Sequence, residues 1–131
     1  MLYSEATVFK HESPSQLIHT MPDIWLPGSS LVREDGVRLE KIGSGPERQD
    51  HFKYRDSDVS FELFATCFDV NLEPTDTWRV YLALALKRYS SLQGIEISAA
   101  KEQAITNNIR EALLAAPRYR DQPIIKEVKF G

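Results

Sequence analysis

One segment of this chain, residues 98–116, repeats its apolar side chains at helical spacing, whereas most of the runs around it repeat theirs every second residue. Ile105, Ile109, Ala112, Leu113 and Ala116 form one apolar stripe, and Lys101, Glu102, Asn107, Arg110 and Glu111 point elsewhere. Ser98 stands where a hydroxyl can accept an otherwise unpaired first-turn amide, and Pro117 lacks the N–H that a further turn needs. Extended runs before a late helix, and one more after it, predict an α+β fold. The expected architecture is a mostly antiparallel sheet, one main amphipathic helix over 98–116 packed on it, and a C-terminal strand.

The extended runs have their own signals. Asp35 and Gly36 mark a turn between Leu31-Val32 and residues 37–42, which predicts a hairpin of short strands. Residues 43–50 read as a loop and 55–58 as a polar turn. Val59, Phe61, Leu63, Ala65 and Cys67 alternate with Ser60, Glu62, Phe64 and Thr66, as in a strand with one buried face. The apolar phase then moves to Phe64, Phe68, Val70 and Leu72, so a bulge or bend is expected near Ala65 and Thr66 in a strand reaching Leu72. Residues 77–92 fit two templates. Trp78, Val80, Leu82, Leu84 and Leu86 share one face of a strand; Trp78, Leu82, Ala85, Tyr89 and Leu92 also fit a helix. A strand over 77–84, followed by a turn or short helical piece, is the preferred reading. Ile124, Val128 and Phe130 share a strand face with Lys126 at the end of the chain. Pro14, Pro22 and Pro27 make residues 1–30 irregular, with Trp25 expected to tuck onto the core.

A chain of 131 residues is most simply a single domain, 1–131, with enough buried surface for one core. The net charge of −3 argues against a general nucleic-acid binder, which would normally be basic. Residues 1–65 hold seven basic and eleven acidic side chains, so an acidic face is expected in the first half. A single cysteine, Cys67, leaves no internal disulfide framework. No apolar run approaches the roughly 20 residues of a membrane span, and the N-terminus has no signal-peptide pattern. A cytoplasmic protein is the expectation.

The residues offer little reactive chemistry. His11, His19 and His51 form no H-E-x-x-H motif and no Cys/His cluster, so neither a metal site nor a cofactor is expected; His11 and His19 read as exposed loop residues. Cys67 lies in an apolar run and reads as a buried structural thiol. Gly43-Ser44-Gly45-Pro46 lacks the lysine of a phosphate loop. Lys87-Arg88 and Arg118-Tyr119-Arg120 are short basic pairs that read as solvated ends of elements. The carboxylates Glu47, Asp50, Asp56, Asp58 and Glu62 read either as a solvated turn region or as an acidic docking surface for a basic protein partner.

From Arg79 onward the chain resembles a group of small bacterial immunity proteins encoded beside toxins of the polymorphic or contact-dependent kind. The resemblance rests on the run from Val80-Tyr81-Leu82 to Leu86-Lys87-Arg88-Tyr89, on Ile97-Ser98 opening a helix, on Ile105-Thr106-Asn107-Asn108-Ile109-Arg110-Glu111-Ala112-Leu113 within it, and on a closing strand. It implies stoichiometric binding to one cognate toxin without turnover. A secretion or effector chaperone and a small enzyme using carboxylates and His51 in a cleft are the alternatives.

Overall fold

The structure is a computed structural model that describes residues 8–12, 27–44, 49–116 and 123–131. Its element order is β1 (Lys10–Glu12), β2 (Ser30–Val32), β3 (Arg38–Ser44), β4 (Asp50–Arg55), β5 (Ser60–Phe68), β6 (Pro74–Val80), α1 (Leu82–Gln93), α2 (Ala99–Ala115) and β7 (Glu127–Phe130). The strands form one sheet in the order β1-β2-β3-β4-β5-β6-β7. Pairs from β1 to β6 are antiparallel, and β7 joins β6 in parallel. A parallel neighbour needs a long crossover, and the two helices supply it.

Three of the meander's turns are each held by an aspartate. Asp35 Oδ1 accepts the Val37 amide at 3.4 Å, with Gly36 at φ 96° supplying the left-handed residue of the β2–β3 turn. Asp56 Oδ1 accepts the amides of Asp58 and Val59 at 2.8 and 3.0 Å between β4 and β5. Asp69 Oδ1 accepts those of Asn71 and Glu73 at 2.8 and 3.1 Å between β5 and β6. A short carboxylate side chain offers the following amides a local partner, which is why aspartate suits these positions.

Alternation sorts the sheet into two faces. Leu31, Leu39, Phe52, Tyr54, Phe61, Leu63, Ala65, Cys67, Trp78, Val80 and Val128 are buried and form one cluster with Leu82, Ala85 and Leu86 of α1 and Ile105, Ile109, Ala112 and Leu113 of α2. Both helices therefore cover the same face. Phe52 meets Trp78 edge-on at 5.8 Å, and Phe61 bridges Tyr54 and Tyr89 at 5.3 and 5.8 Å between ring centroids. The opposite face exposes Lys53, Arg55, Glu62, Arg79, Glu127 and Lys129.

The α+β, mostly antiparallel architecture with a C-terminal strand is as expected, but two helices pack on the sheet where one was expected. Residues 82–93 are helical, and the strand before them stops at Val80 rather than reaching 84. Leu82 satisfies both periods, which is why alternation overran the boundary. Ala85 and Leu86 then follow at helical spacing onto the core, and Leu84, 61% exposed, faces away. Gly94 ends α1 at φ 66° and donates its amide to Ser90 O. The helix over 98–116 is α2: Ser98 Oγ accepts the Lys101 amide at 3.0 Å, and the buried residues are Ile105, Ile109, Ala112 and Leu113.

Three further expectations need correction. β5 ends at Phe68, short of Leu72, because Val70 is 97% exposed in the turn that follows. The irregularity expected near Ala65 and Thr66 is present, as a register shift of β5 against β6 between Thr66 and Phe68. Gly43 and Ser44, expected in a loop over 43–50, extend β3, and Asp50 opens β4; residues 45–48 lie outside the described residues. In the last run only residues 127–130 are strand, and Ile124 is exposed. Trp25, His19, Glu47 and the Arg118-Tyr119-Arg120 pair lie outside the described residues.

Candidate functional site

The acidic residues singled out in the sequence are placed in three different settings. Asp56 and Asp58 share the β4–β5 turn, where Lys101 Nζ of α2 donates to both at 2.9 and 2.7 Å. The Asp56 side chain is nearly buried and also accepts the Tyr54 hydroxyl at 2.7 Å. Burial works against its charge, but the Lys101 ammonium, the Tyr54 hydroxyl and the two turn amides outweigh it and hold the carboxyl below the usual carboxylate range. Lys101 loses some hydration in the same place, yet Asp58 and Asp56 keep its ammonium above the ordinary lysine value.

Tyr54 extends this pair into a network. Its hydroxyl receives Asn108 Nδ2 at 3.0 Å, and burial with the Asp56 contact pushes its pKa up. Asn108 Oδ1 in turn accepts Arg33 Nη2 at 2.9 Å. Arg33 grips Asp35 with both Nε and Nη2 at 2.8 and 2.7 Å, and reaches Glu111 at 3.2 Å. Its guanidinium also lies over the Phe9 ring, 5.2 Å from the centroid. The run Asp35–Arg33–Asn108–Tyr54–Asp56–Lys101–Asp58 thus fastens two sheet turns to one helix. Each carboxylate in it is committed to a turn amide or a cation.

Asp50 is elsewhere. It lies buried on the core face with Lys41 Nζ 3.7 Å away, the two side chains 6% and 3% exposed. Burial pulls the Lys41 ammonium below its ordinary pKa, and the Asp50 carboxylate only partly restores it. Glu62 is on the opposite face, where His51 Nε2 lies 2.7 Å from its carboxylate and the imidazole stacks on Phe64 at 4.6 Å. Asp50, Asp56-Asp58 and Glu62 are therefore not brought together on one surface. Cys67 is buried, as its surroundings in the sequence suggest. His11 lies within β1 and is half-buried, not an exposed loop residue, and burial lowers its pKa. Among the described residues no group of three or more His, Cys, Asp or Glu side chains is placed to hold a metal ion. Among them, too, no helix is long and apolar enough to cross a membrane.

Two hollows formed by described residues lie on the open face. A hollow of about 660 Å³ is lined by Gln49, Thr66, Phe68, Asp69, Leu72 and Arg79, among others, and Tyr81 separates it from a second. That neighbour, about 420 Å³, is lined by Gln49, Phe64, Tyr81, Ala83, Leu84 and Gly131. Its walls are largely apolar. Tyr81 reaches this place because its amide donates to Phe64 O at 3.0 Å, extending the sheet by one residue before α1 begins. Leu72, on the rim, holds φ 62°, a left-handed conformation that costs a non-glycine residue about 1–2 kcal/mol. Periodicity gave one hint of this surface. Phe64 is an aromatic on the phase of β5 that carries Ser60, Glu62 and Thr66, opposite the buried one. No family model, curated protein or solved structure matches this chain.

Proposed function

We propose that this protein is a non-catalytic binding protein, and within that class an immunity protein that neutralises one cognate bacterial toxin by stoichiometric association in the cytoplasm. The observation that carries the reading is the open face of the sheet. Among the described residues the helices cover one face, and the other presents charged side chains around paired hollows with Phe64, Tyr81 and Leu84 in their walls. Apolar and aromatic side chains left in a concave setting and rimmed by charge are the usual material of a protein interface. The ionisable groups nearest to a catalytic cluster, Tyr54, Asp56 and Lys101, are engaged in joining α2 to the sheet.

The test begins with the reading frame beside this gene. Its product should co-purify with the chain at one-to-one stoichiometry, and co-expression should relieve the growth arrest that product causes alone. A toxic product that neither binds nor is relieved sinks the reading. A secretion chaperone is the second reading, favoured by Leu84 and Leu92 lying exposed on α1. Sedimentation as a dimer, with an effector bound between the copies, would replace the first reading with the second.

A further inference from the structure

We propose that the paired hollows on the open face take an acidic, apolar segment of a protein partner, its carboxylate held by Arg79 and Lys129 beside an aromatic or aliphatic side chain seated on Phe64, Tyr81 and Leu84. The inference rests on the reading of the chain as a binding protein and names the chemistry of the contact.

Charge placement carries it. Arg79 and Lys129 are partners in the parallel β6–β7 register, so both side chains leave the same face from neighbouring strands, and both are exposed. Like charges side by side in a sheet repel, and the nearest acidic neighbour on this face by register, the exposed Glu127 two residues before Lys129, makes no ion pair with either. Among the described residues no carboxylate lies within ion-pair distance of either cation. Asp69 lines the same hollow as Arg79, but its Oδ1 is committed to the amides of Asn71 and Glu73. A carboxylate arriving from outside relieves the repulsion and meets the planar fork of an arginine, whose geometry matches it.

The adjoining hollow explains why the ligand is more than an anion. At about 420 Å³, with Phe64, Tyr81, Ala83 and Leu84 in its lining, it has room for one or two apolar side chains. A nucleic acid fits worse. Glu40, Lys53 and Glu62 lie in one cross-strand row on this face, so a phosphate backbone running across it would meet two carboxylates.

The probe is N-acetyl-phenylalanine, which pairs a carboxylate with an aromatic ring, titrated into ¹⁵N-labelled protein. N-acetyl-phenylalaninamide, the same molecule without the charge, serves as control. Amide shifts are expected at Phe64, Thr66, Arg79, Tyr81 and Lys129, with Kd on the order of a few millimolar and about fivefold weaker for the control. R79Q and K129Q should each reduce affinity for the acid towards that of the amide and leave the rest of the spectrum in place. No shifts up to about 20 mM, shifts centred elsewhere, or equal affinity for acid and amide would overturn the proposal. The acid–amide comparison uses the wild-type protein, so it decides even if a variant misfolds. It also reads the hollows alone: failure here with successful toxin capture rejects this contact and leaves the binding role standing, and the reverse result rejects only the role.

Discussion

Asp56 accepts two turn amides, a buried tyrosine hydroxyl and a lysine ammonium through one carboxylate. Replacing it with asparagine keeps the shape but removes the charge, and should cost about 2–3 kcal/mol in urea unfolding at neutral pH. The pH dependence has a definite sign. The folded carboxyl titrates below the unfolded one, so its contribution is complete above the unfolded value of about 3.9 and is lost as pH falls through the folded value. Wild-type stability should therefore fall more steeply than that of D56N below about pH 4. Lys41 and Asp50 make the complementary case. K41M removes the cation beside a buried carboxylate and should cost about 3–5 kcal/mol, whereas the double variant K41M/D50L should recover most of that loss. If the double variant is no more stable than K41M, the pair is not the source of the cost. None of this was legible in the sequence. Asp-Ser-Asp reads the same whether its carboxylates face solvent or their own amides, and although alternation puts Lys41 on one strand face with Val37 and Leu39, nothing local pairs it with Asp50 across the glycine-rich segment.

At the scale of elements, the two helices differ in how plainly they were written. The second has a capping serine, a stripe at a single period and a proline after it, and its buried residues are those that the spacing selects. S98A should cost about 0.5–2 kcal/mol, and I109A about 2–5. The first follows a strand without a turn residue between them, and its leucines at 82, 84 and 86 continue the strand's alternation. Gly94 past its end is a local helix signal, but the choice over 82–86 rests on packing against β5, and that information is not local. A direct test compares L84D with L86D. In a strand both would disrupt the same face; in α1 the first should change stability by less than about 0.5 kcal/mol, while the second, placing a charge in the core, should abolish cooperative unfolding.

Over the whole molecule, stability and the proposed recognition lie on opposite faces of one sheet. The residues that hold the helices down point one way, and Arg79, Lys129, Phe64 and Tyr81 belong to the other face or its rim. R79Q/K129Q should consequently unfold within about 0.5 kcal/mol of wild type, and a larger loss would mean that these cations support the fold. The sequence conveyed the α+β class because periodicity survives in single elements. Alternation conveyed which side of β5 is buried, but not how the strands combine into one face, because a face is assembled from strands far apart in the chain.

The parallel seating of β7 beside β6 has a consequence for how the protein is made. As the chain leaves the ribosome, the meander through Val80 can pair strand by strand, yet its greasy side stays bare until both helices have emerged. The final strand can dock only after that crossover is complete, so a nascent chain stalled at residue 80 should be a client of chaperones and a substrate for proteases, whereas the released protein should be neither.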